Sequence, residues 1–184
     1  MNRVYLMLAD GFEVLEALAV RDVMNRGGIE CLCVAIGDSL EVTSSHALAT
    51  VKADMLLKDS DLSDGAAIVL PGGYPGYVNL GNSELVGRWA ADYYRAGRIV
   101  AAICGGPSVL ARNGIARSCN ITCHRSVRDI MLNDYNYVGG NVVSDGNLIT
   151  GAGAGVCIEF ALTIAARLSD EQTVARIKAS MEIE

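Results

Sequence analysis

Short apolar runs alternate with helix-like segments from one end of this 184-residue chain to the other. The runs have the length of β-strands, and glycine or capping residues separate them from segments with helical spacing of apolar residues. Strands that alternate with helices are joined by crossover connections, which place neighbouring strands parallel. The sequence therefore predicts an α/β fold with a mainly parallel sheet and helices on both faces.

The expected elements follow one another without a linker, a repeat or a low-complexity segment, so we expect residues 1–184 to form a single domain. Strands are predicted at 4–9, 31–36, 66–70, 98–103, 120–123 and 148–150. Helices are predicted at 12–26, 83–96, 106–113, 125–132, 155–168 and 170–180. The polar alternation of 42–51 predicts a hairpin at the edge, and Asp145-Gly146 predicts a second hairpin turn.

The composition excludes several classes of partner. The net charge is −6 and the isoelectric point is about 4.9, which argues against nucleic acid or an anionic membrane surface. No apolar run reaches the roughly 18 to 20 residues that span a bilayer, and the N-terminal segment is typical of a first strand rather than a signal peptide. We therefore expect a cytoplasmic protein, in which the six cysteines remain free thiols.

Four predicted turns should lie at one edge of the sheet. In parallel sheets of this kind, ligands bind beyond the carboxyl ends of the strands. The turns at 9–11, 71–73, 103–106 and 150–153 all follow predicted strands, and three of the four are rich in glycine. Glycine allows backbone amides to approach a ligand closely. This edge is therefore the predicted functional site.

Cys104 lies at the turn between the predicted strand 98–103 and the next helix. The sequence Ala-Ile-Cys-Gly-Gly at 102–106 has the small-x-nucleophile-x-glycine form of a strained nucleophile elbow. A helix N-terminus favours an anion, so we expect the thiol pKa to fall below its usual value of about 8.5. The alternative is a buried structural cysteine in front of a glycine turn.

Glu16 is surrounded in sequence by apolar residues on the side of its helix that should pack inward. A buried carboxylate is costly unless it is protonated or paired. If the first strand lies near the elbow, Glu16 could share a proton with Cys104, giving a protonated carboxyl beside an anionic sulfur. The alternative is a solvated glutamate on the helix surface. Glu13, three residues earlier, is predicted to cap the helix.

His124 is the histidine that we expect at the same edge, because it follows the predicted strand 120–123. It could act there as a base or a proton shuttle, and the alternative is a structural histidine at a strand end. His46, in the polar hairpin, is expected to be exposed.

Motifs for cofactors and metals are weak. Val156 occupies the third glycine position of a dinucleotide fingerprint that would begin at Gly151, and the first strand–helix turn does not carry that motif. Cys119, Cys123 and His124 have the spacing of half a metal site, but no second cluster completes four ligands. We therefore expect neither a cofactor nor a metal.

Several of these segments together resemble the ThiJ/PfpI superfamily, in the branch of the Parkinson-disease-associated protein deglycase. The resemblance extends over nearly the whole chain. It is carried by ADGFEVLE at 9–16, VLPGG at 69–73, IVAAICGGP at 99–107, TCH at 122–124 and EFAL at 159–162.

The resemblance implies a flavodoxin-like three-layer sandwich of the class I glutamine amidotransferase type, and a homodimer. It implies that Cys104 is the nucleophile, Glu16 its protonated partner and His124 the nearby imidazole. The backbone of Gly72, Gly73 and Gly105 would bind an oxyanion or an oxidised sulfur. The activities it implies are glyoxalase and deglycase chemistry without a cofactor, on a small aldehyde or on glycated thiols and amines. Redox sensing through a sulfinate, chaperone action and a role in the oxidative stress response are the alternatives it implies.

The chain departs from this branch at two places. Members commonly carry Ser-Arg-Gly-Pro-Gly where residues 151–155 read Gly-Ala-Gly-Ala-Gly, and His-Pro where this chain has His124-Arg125. Both differences concern the substrate more than the chemistry. Gly105 stands where the peptidase-like branch has a histidine, which disfavours peptidase activity. A glutamine amidotransferase needs a late His-x-Glu pair, which the chain lacks.

Overall fold

The computed structural model describes residues 2–184, which form eleven strands and seven α-helices. The strands are β1 (Arg3–Leu8), β2 (Glu30–Ala35), β3 (Glu41–Thr43), β4 (Thr50–Lys52), β5 (Met55–Leu56), β6 (Ala67–Leu70), β7 (Ile99–Ile103), β8 (Asn120–Ile121), β9 (Asn136–Tyr137), β10 (Val142–Asp145) and β11 (Leu148–Gly151). The α-helices are α1 (Val14–Arg26), α2 (Gly76–Asn82), α3 (Glu84–Arg95), α4 (Pro107–Arg112), α5 (Arg128–Met131), α6 (Cys157–Leu168) and α7 (Glu171–Ser180).

Seven of the described strands form one sheet, in the order β10-β11-β7-β6-β1-β2-β5. All neighbours in it are parallel except β10 and β11, which form the antiparallel hairpin predicted at Asp145-Gly146. The predicted hairpin at 42–51 is also present, as a separate pair of β3 and β4. The prediction of a mainly parallel sheet is therefore confirmed.

Helices cover both faces of this sheet because side chains of a strand point alternately to opposite sides. In β1, Val4, Leu6 and Leu8 belong to one apolar core, which also contains buried residues of α1, α6 and α7. Tyr5 and Met7 belong to the other core, with buried residues of α3, α4 and α5. Such a sheet has no polar face, which explains its continuous apolar runs.

The carboxyl ends of the strands bring the four predicted turns together. Glu13 N–H donates to Gly72 O at 3.0 Å, which joins the turn after β1 to the turn after β6. Cys104 N–H donates to Gly151 O at 2.9 Å, which joins the turns after β7 and β11. The predicted gathering of these turns at one edge is therefore confirmed.

Three local predictions differ from the structure. Helix α2 was not predicted, because the glycines and prolines of 71–76 suggested only a turn. The predicted strand 120–123 is the two-residue β8, which pairs with β9 outside the main sheet. The predicted helix 125–132 is the four-residue α5. Within residues 2–184, none of the helices has both the length and the hydropathy needed to cross a membrane.

Candidate active site

Cys104 lies in a sharp turn between β7 and α4. Its φ is 62°, in the left-handed region that residues with a side chain rarely adopt, and such a conformation costs about 1–3 kcal/mol. The main chain holds the turn on both sides: Cys104 N–H donates to Gly151 O, and Cys104 O accepts from His124 N–H at 2.9 Å. The predicted elbow is present, and neighbouring elements stabilise it.

Glu16 is fully buried on the first turn of α1. Its Oε2 accepts a hydrogen bond from Gly72 N–H at 2.7 Å. Its Oε1 is buried as well, and no group within residues 2–184 makes a hydrogen bond to it. Glu13 caps the helix as predicted, because its Oε2 accepts from Glu16 N–H at 2.8 Å. Glu16 therefore does not lie on the helix surface, and the prediction of a buried carboxyl is confirmed.

The Glu16 carboxyl and the Cys104 side chain meet at Gly72. A Cβ built on Gly72 would lie 2.7 Å from Cys104 Cβ and 2.7 Å from Glu16 Oε2. Real Cβ atoms do not approach other atoms so closely, and a side chain here would push the two groups apart. Glycine at this position is what allows a carboxyl on α1 to reach a thiol at the end of β7.

Burial raises the pKa of both groups, and the charge of Glu16 raises that of Cys104 further. Burial raises the pKa of Glu16 to about 7, although hydrogen bonds from Cys104 and Gly72 act in the opposite direction and lower it. Burial, followed by the charge of Glu16, raises the pKa of Cys104 to about 12. The prediction of a lowered thiol pKa is therefore wrong in direction. The physical reason is that burial of the sulfur and the charge of Glu16 outweigh the hydrogen bonds from the amides of Gly105 and Gly73.

The two pKa values mean that the pair carries a single proton between about pH 7 and about pH 12. Two acidic groups this close titrate as a unit, and the first ionisation suppresses the second. The proton can be held by Glu16 or by the Cys104 sulfur. Oε1 is the carboxyl oxygen left for that proton, because Oε2 already accepts from Gly72.

Three glycines were predicted to bind an oxyanion or an oxidised sulfur, and the amides of two of them hydrogen-bond to the Cys104 sulfur. The backbone amides of Gly105 and Gly73 lower the Cys104 pKa by hydrogen bonding, although less than burial and Glu16 raise it. The amide of Gly72 donates to Glu16 instead. Gly72 therefore orients the carboxyl, and the amides near the sulfur are those of Gly73 and Gly105.

His124 contacts the elbow through its main chain, and its ring is oriented by Ser126. Ser126 N–H donates to His124 Nδ1 at 3.2 Å, and the Ser126 hydroxyl lies 2.8 Å from the same nitrogen. Because Nδ1 accepts a backbone N–H, the neutral ring carries its hydrogen on Nε2. A Cβ on Gly153 would lie 3.7 Å from His124 Cδ2, so the Nε2 edge of the ring faces the 151–155 loop.

Cys119, one residue of the half metal site considered from the sequence, contacts a tyrosine. Cys119 Sγ lies 3.3 Å from the Tyr94 hydroxyl. Within residues 2–184, no three His, Cys, Asp or Glu side chains group as metal ligands would, and all six cysteines are free thiols.

Tyr74 and Tyr77 are residues near the site that the sequence reasoning missed. Tyr74 directly follows Gly73, and Tyr77 lies in the first turn of α2. Two tyrosines in a glycine- and proline-rich turn at the predicted edge were the available signal.

The fold and the site define a class: α/β proteins with a cysteine on a strained strand–helix turn and a buried carboxyl beside it. Residues 2–167 match the model of the DJ-1/PfpI family. The chain belongs to this family, and the resemblance to the ThiJ/PfpI superfamily is confirmed.

Individual relatives cover nearly the whole chain. Protein dj-1beta of Drosophila melanogaster is 35% identical over 178 residues, which cover 94% of this chain and 92% of the fly protein. The protein of Caenorhabditis elegans named glutathione-independent glyoxalase DJR-1.2 is 34% identical over 175 residues, covering 94% and 92% of the two chains. The crystal structure of Drosophila melanogaster DJ-1beta superposes with a TM-score of 0.96 at 33% identity, covering 100% of this chain and 98% of that one.

The raised Glu16 pKa predicts how stability depends on pH. A carboxyl with a folded pKa of about 7 and an ordinary pKa of 4.5 favours the folded state while it is protonated, and this contribution is lost as pH rises through about 7. Glu16→Gln should remove this loss, since the amide stays neutral. From pH 5 to pH 8 the unfolding free energy of wild type should fall relative to the variant by up to about 3 kcal/mol, measured by urea denaturation.

Glu84→Gln is the matched control, because Glu84 is exposed in the first turn of α3. This variant should keep the pH dependence of wild type. A parallel pH dependence of wild type and Glu16→Gln would contradict the raised pKa.

Proposed function

We propose that the chain is a cysteine-dependent, cofactor-free glyoxalase that acts on methylglyoxal and, by the same chemistry, on glycated thiols and amines. The observation that carries the proposal is the Glu16 carboxyl, fully buried and directly beside the Cys104 thiol. Its pKa of about 7 suits a group that takes and returns a proton at neutral pH. The name of the worm relative, a glutathione-independent glyoxalase, supports the same reaction class.

The first step is attack of Cys104 Sγ on the aldehyde carbon. The thiol proton passes to ionised Glu16, a carbon–sulfur bond forms, and the carbonyl electron pair moves to oxygen. The amides of Gly73 and Gly105 that act on the sulfur are suited to hold the developing negative charge. The oxygen then takes back the proton that Glu16 received from the thiol, and the product is a hemithioacetal beside an ionised Glu16; the Nε2 hydrogen of His124 can donate a hydrogen bond to this oxygen.

The next steps move hydrogen between the two carbons of the adduct. Ionised Glu16 removes the proton from the former aldehyde carbon, and the hydroxyl proton of the adduct passes to the ketone oxygen, so that the reaction goes through an enediol. Glu16 then returns its proton to the neighbouring carbon. The result is a lactyl thioester on Cys104. Water hydrolyses this thioester, releases lactate and restores the thiol, so that methylglyoxal plus water becomes lactate with no net oxidation.

We also propose that the chain forms a homodimer. The support is that two apolar side chains on α1, Leu15 and Leu18, are 57% and 37% exposed. A cytoplasmic location also remains a proposal, based on the six free thiols.

Lactate formation from methylglyoxal without glutathione tests the proposed function. Cys104→Ser should abolish turnover, because serine is a far weaker nucleophile in this environment. Glu16→Gln should lower kcat by roughly 100-fold or more, the usual contribution of a positioned acid–base group. Lactate can be measured enzymatically or by proton NMR.

Cys119→Ser is the matched control, since Cys119 is also half-buried and its serine hydroxyl can still contact Tyr94. This variant should keep wild-type turnover. The proposal would be contradicted if wild type formed lactate no faster than buffer alone. It would also be contradicted if turnover persisted in Cys104→Ser.

The second candidate function is redox sensing, with or without chaperone action, through oxidation of Cys104 to a sulfinate. The amides of Gly73 and Gly105 favour a charged sulfur, and a protonated Glu16 Oε1 could donate to a sulfinate oxygen. Peroxide supplies the oxygen atoms.

Intact mass after graded peroxide distinguishes this candidate. We expect wild type to gain two oxygen atoms at Cys104, located by peptide mapping, before any other cysteine is modified. Equal oxidation of Cys104 and Cys119 would remove the basis for sensing.

A further inference from the structure

Tyr74 is a large aromatic side chain left exposed on the loop that supplies the Gly73 amide. It is 72% exposed. It directly follows Gly73, whose amide acts on the Cys104 sulfur. The side chain therefore begins one residue from the group that contacts the nucleophile.

Tyr77 joins Tyr74 in one aromatic surface. The two ring centroids are 6.2 Å apart with a tilt of 59°, within the range of attractive aromatic pairs. The Tyr77 ring packs on Gly105: a Cβ built there would lie 2.7 Å from Tyr77 Cε1. Tyr77 N–H donates to Gly73 O at 2.9 Å, which fixes the ring pair to the loop that supplies the amide.

The loop at 151–155 contacts the elbow and carries no large side chain. Residues 151–155 contain only glycine and alanine, and the loop begins at Gly151, whose carbonyl accepts from Cys104 N–H. A Cβ on Gly153 would meet only His124 Cδ2, at 3.7 Å, and a Cβ on Gly155 would meet nothing within 4 Å. No side chain of this loop fills the space or carries a charge.

We propose that Tyr74 and Tyr77 form one wall of the substrate site and select 2-oxoaldehydes that carry an aromatic or extended apolar group. This inference rests on the proposed glyoxalase function and names the class of substrate that the same site prefers. Tyr77 packs on Gly105, and the 151–155 loop bonds to Cys104 through Gly151 O, so both flank the elbow that carries the thiol. A substituent on the ketone carbon would then have an aromatic surface to stack on and a neighbouring loop without large side chains.

Methylglyoxal and phenylglyoxal are suitable probes, because they share the reacting aldehyde and differ only in the methyl or phenyl group on the ketone. The measured quantity is kcat/KM for each, from lactate and mandelate formation. Wild type should have the higher kcat/KM with phenylglyoxal. In Tyr74→Ala the ratio of phenylglyoxal to methylglyoxal should fall by roughly threefold to tenfold, because an aromatic contact contributes about 0.5–1.5 kcal/mol.

Two further variants separate ring stacking from general damage. Tyr74→Phe keeps the ring and should keep the wild-type ratio. Val138→Ala removes an apolar side chain that is 58% exposed outside the site, and both kcat/KM values should stay as in wild type.

The outcomes distinguish this inference from the function on which it rests. A ratio that is the same in wild type and Tyr74→Ala, with both compounds turned over, overturns the inference and leaves the glyoxalase function standing. If the ratio of phenylglyoxal to methylglyoxal kcat/KM falls as far in Tyr74→Phe as in Tyr74→Ala, ring stacking is overturned as the cause of the selectivity. Turnover of neither compound by wild type overturns the proposed function and the inference together.

Discussion

The structure of the site depends on one buried hydrogen bond, from Gly72 N–H to Glu16 Oε2. It fixes a carboxyl that has no exposure to water, and its second oxygen is buried without a hydrogen-bond partner among residues 2–184. Placing a charge there is costly, and this cost is what raises the Glu16 pKa to about 7. A group that would be permanently ionised on the surface thereby becomes one that can exchange a proton at neutral pH.

The parallel sheet makes this arrangement possible. β1, β6 and β7 are adjacent, so the helix after β1, the turn after β6 and the elbow after β7 meet at one edge. The side chain of Glu16, the amide of Gly72 and the thiol of Cys104 come from these three connections. Main-chain hydrogen bonds with Gly151 and His124, which lie at the same edge, hold Cys104 at its strained φ.

The sequence was sufficient to predict the sheet, most helices and the meeting of Cys104 with Glu16. These predictions rest on local patterns: apolar runs, caps such as Glu13, and the glycines that follow the elbow. The direction of the Cys104 pKa could not be obtained in this way, because it depends on how deeply the sulfur is buried and on the charge of Glu16. Helix α2 was missed because packing of its buried Gly76 and Leu80, rather than helix propensity, stabilises it.

The central claim is that Glu16 holds or shares a proton at neutral pH, and its carboxyl can be observed directly. A pH titration of the Glu16 side-chain carboxyl by carbon NMR, in protein labelled at glutamate and assigned with Glu16→Gln, measures its ionisation. The account predicts a midpoint near 7 for wild type. A midpoint near 4.5, the ordinary pKa of a glutamate, with Glu16 almost fully ionised at pH 6, would contradict it.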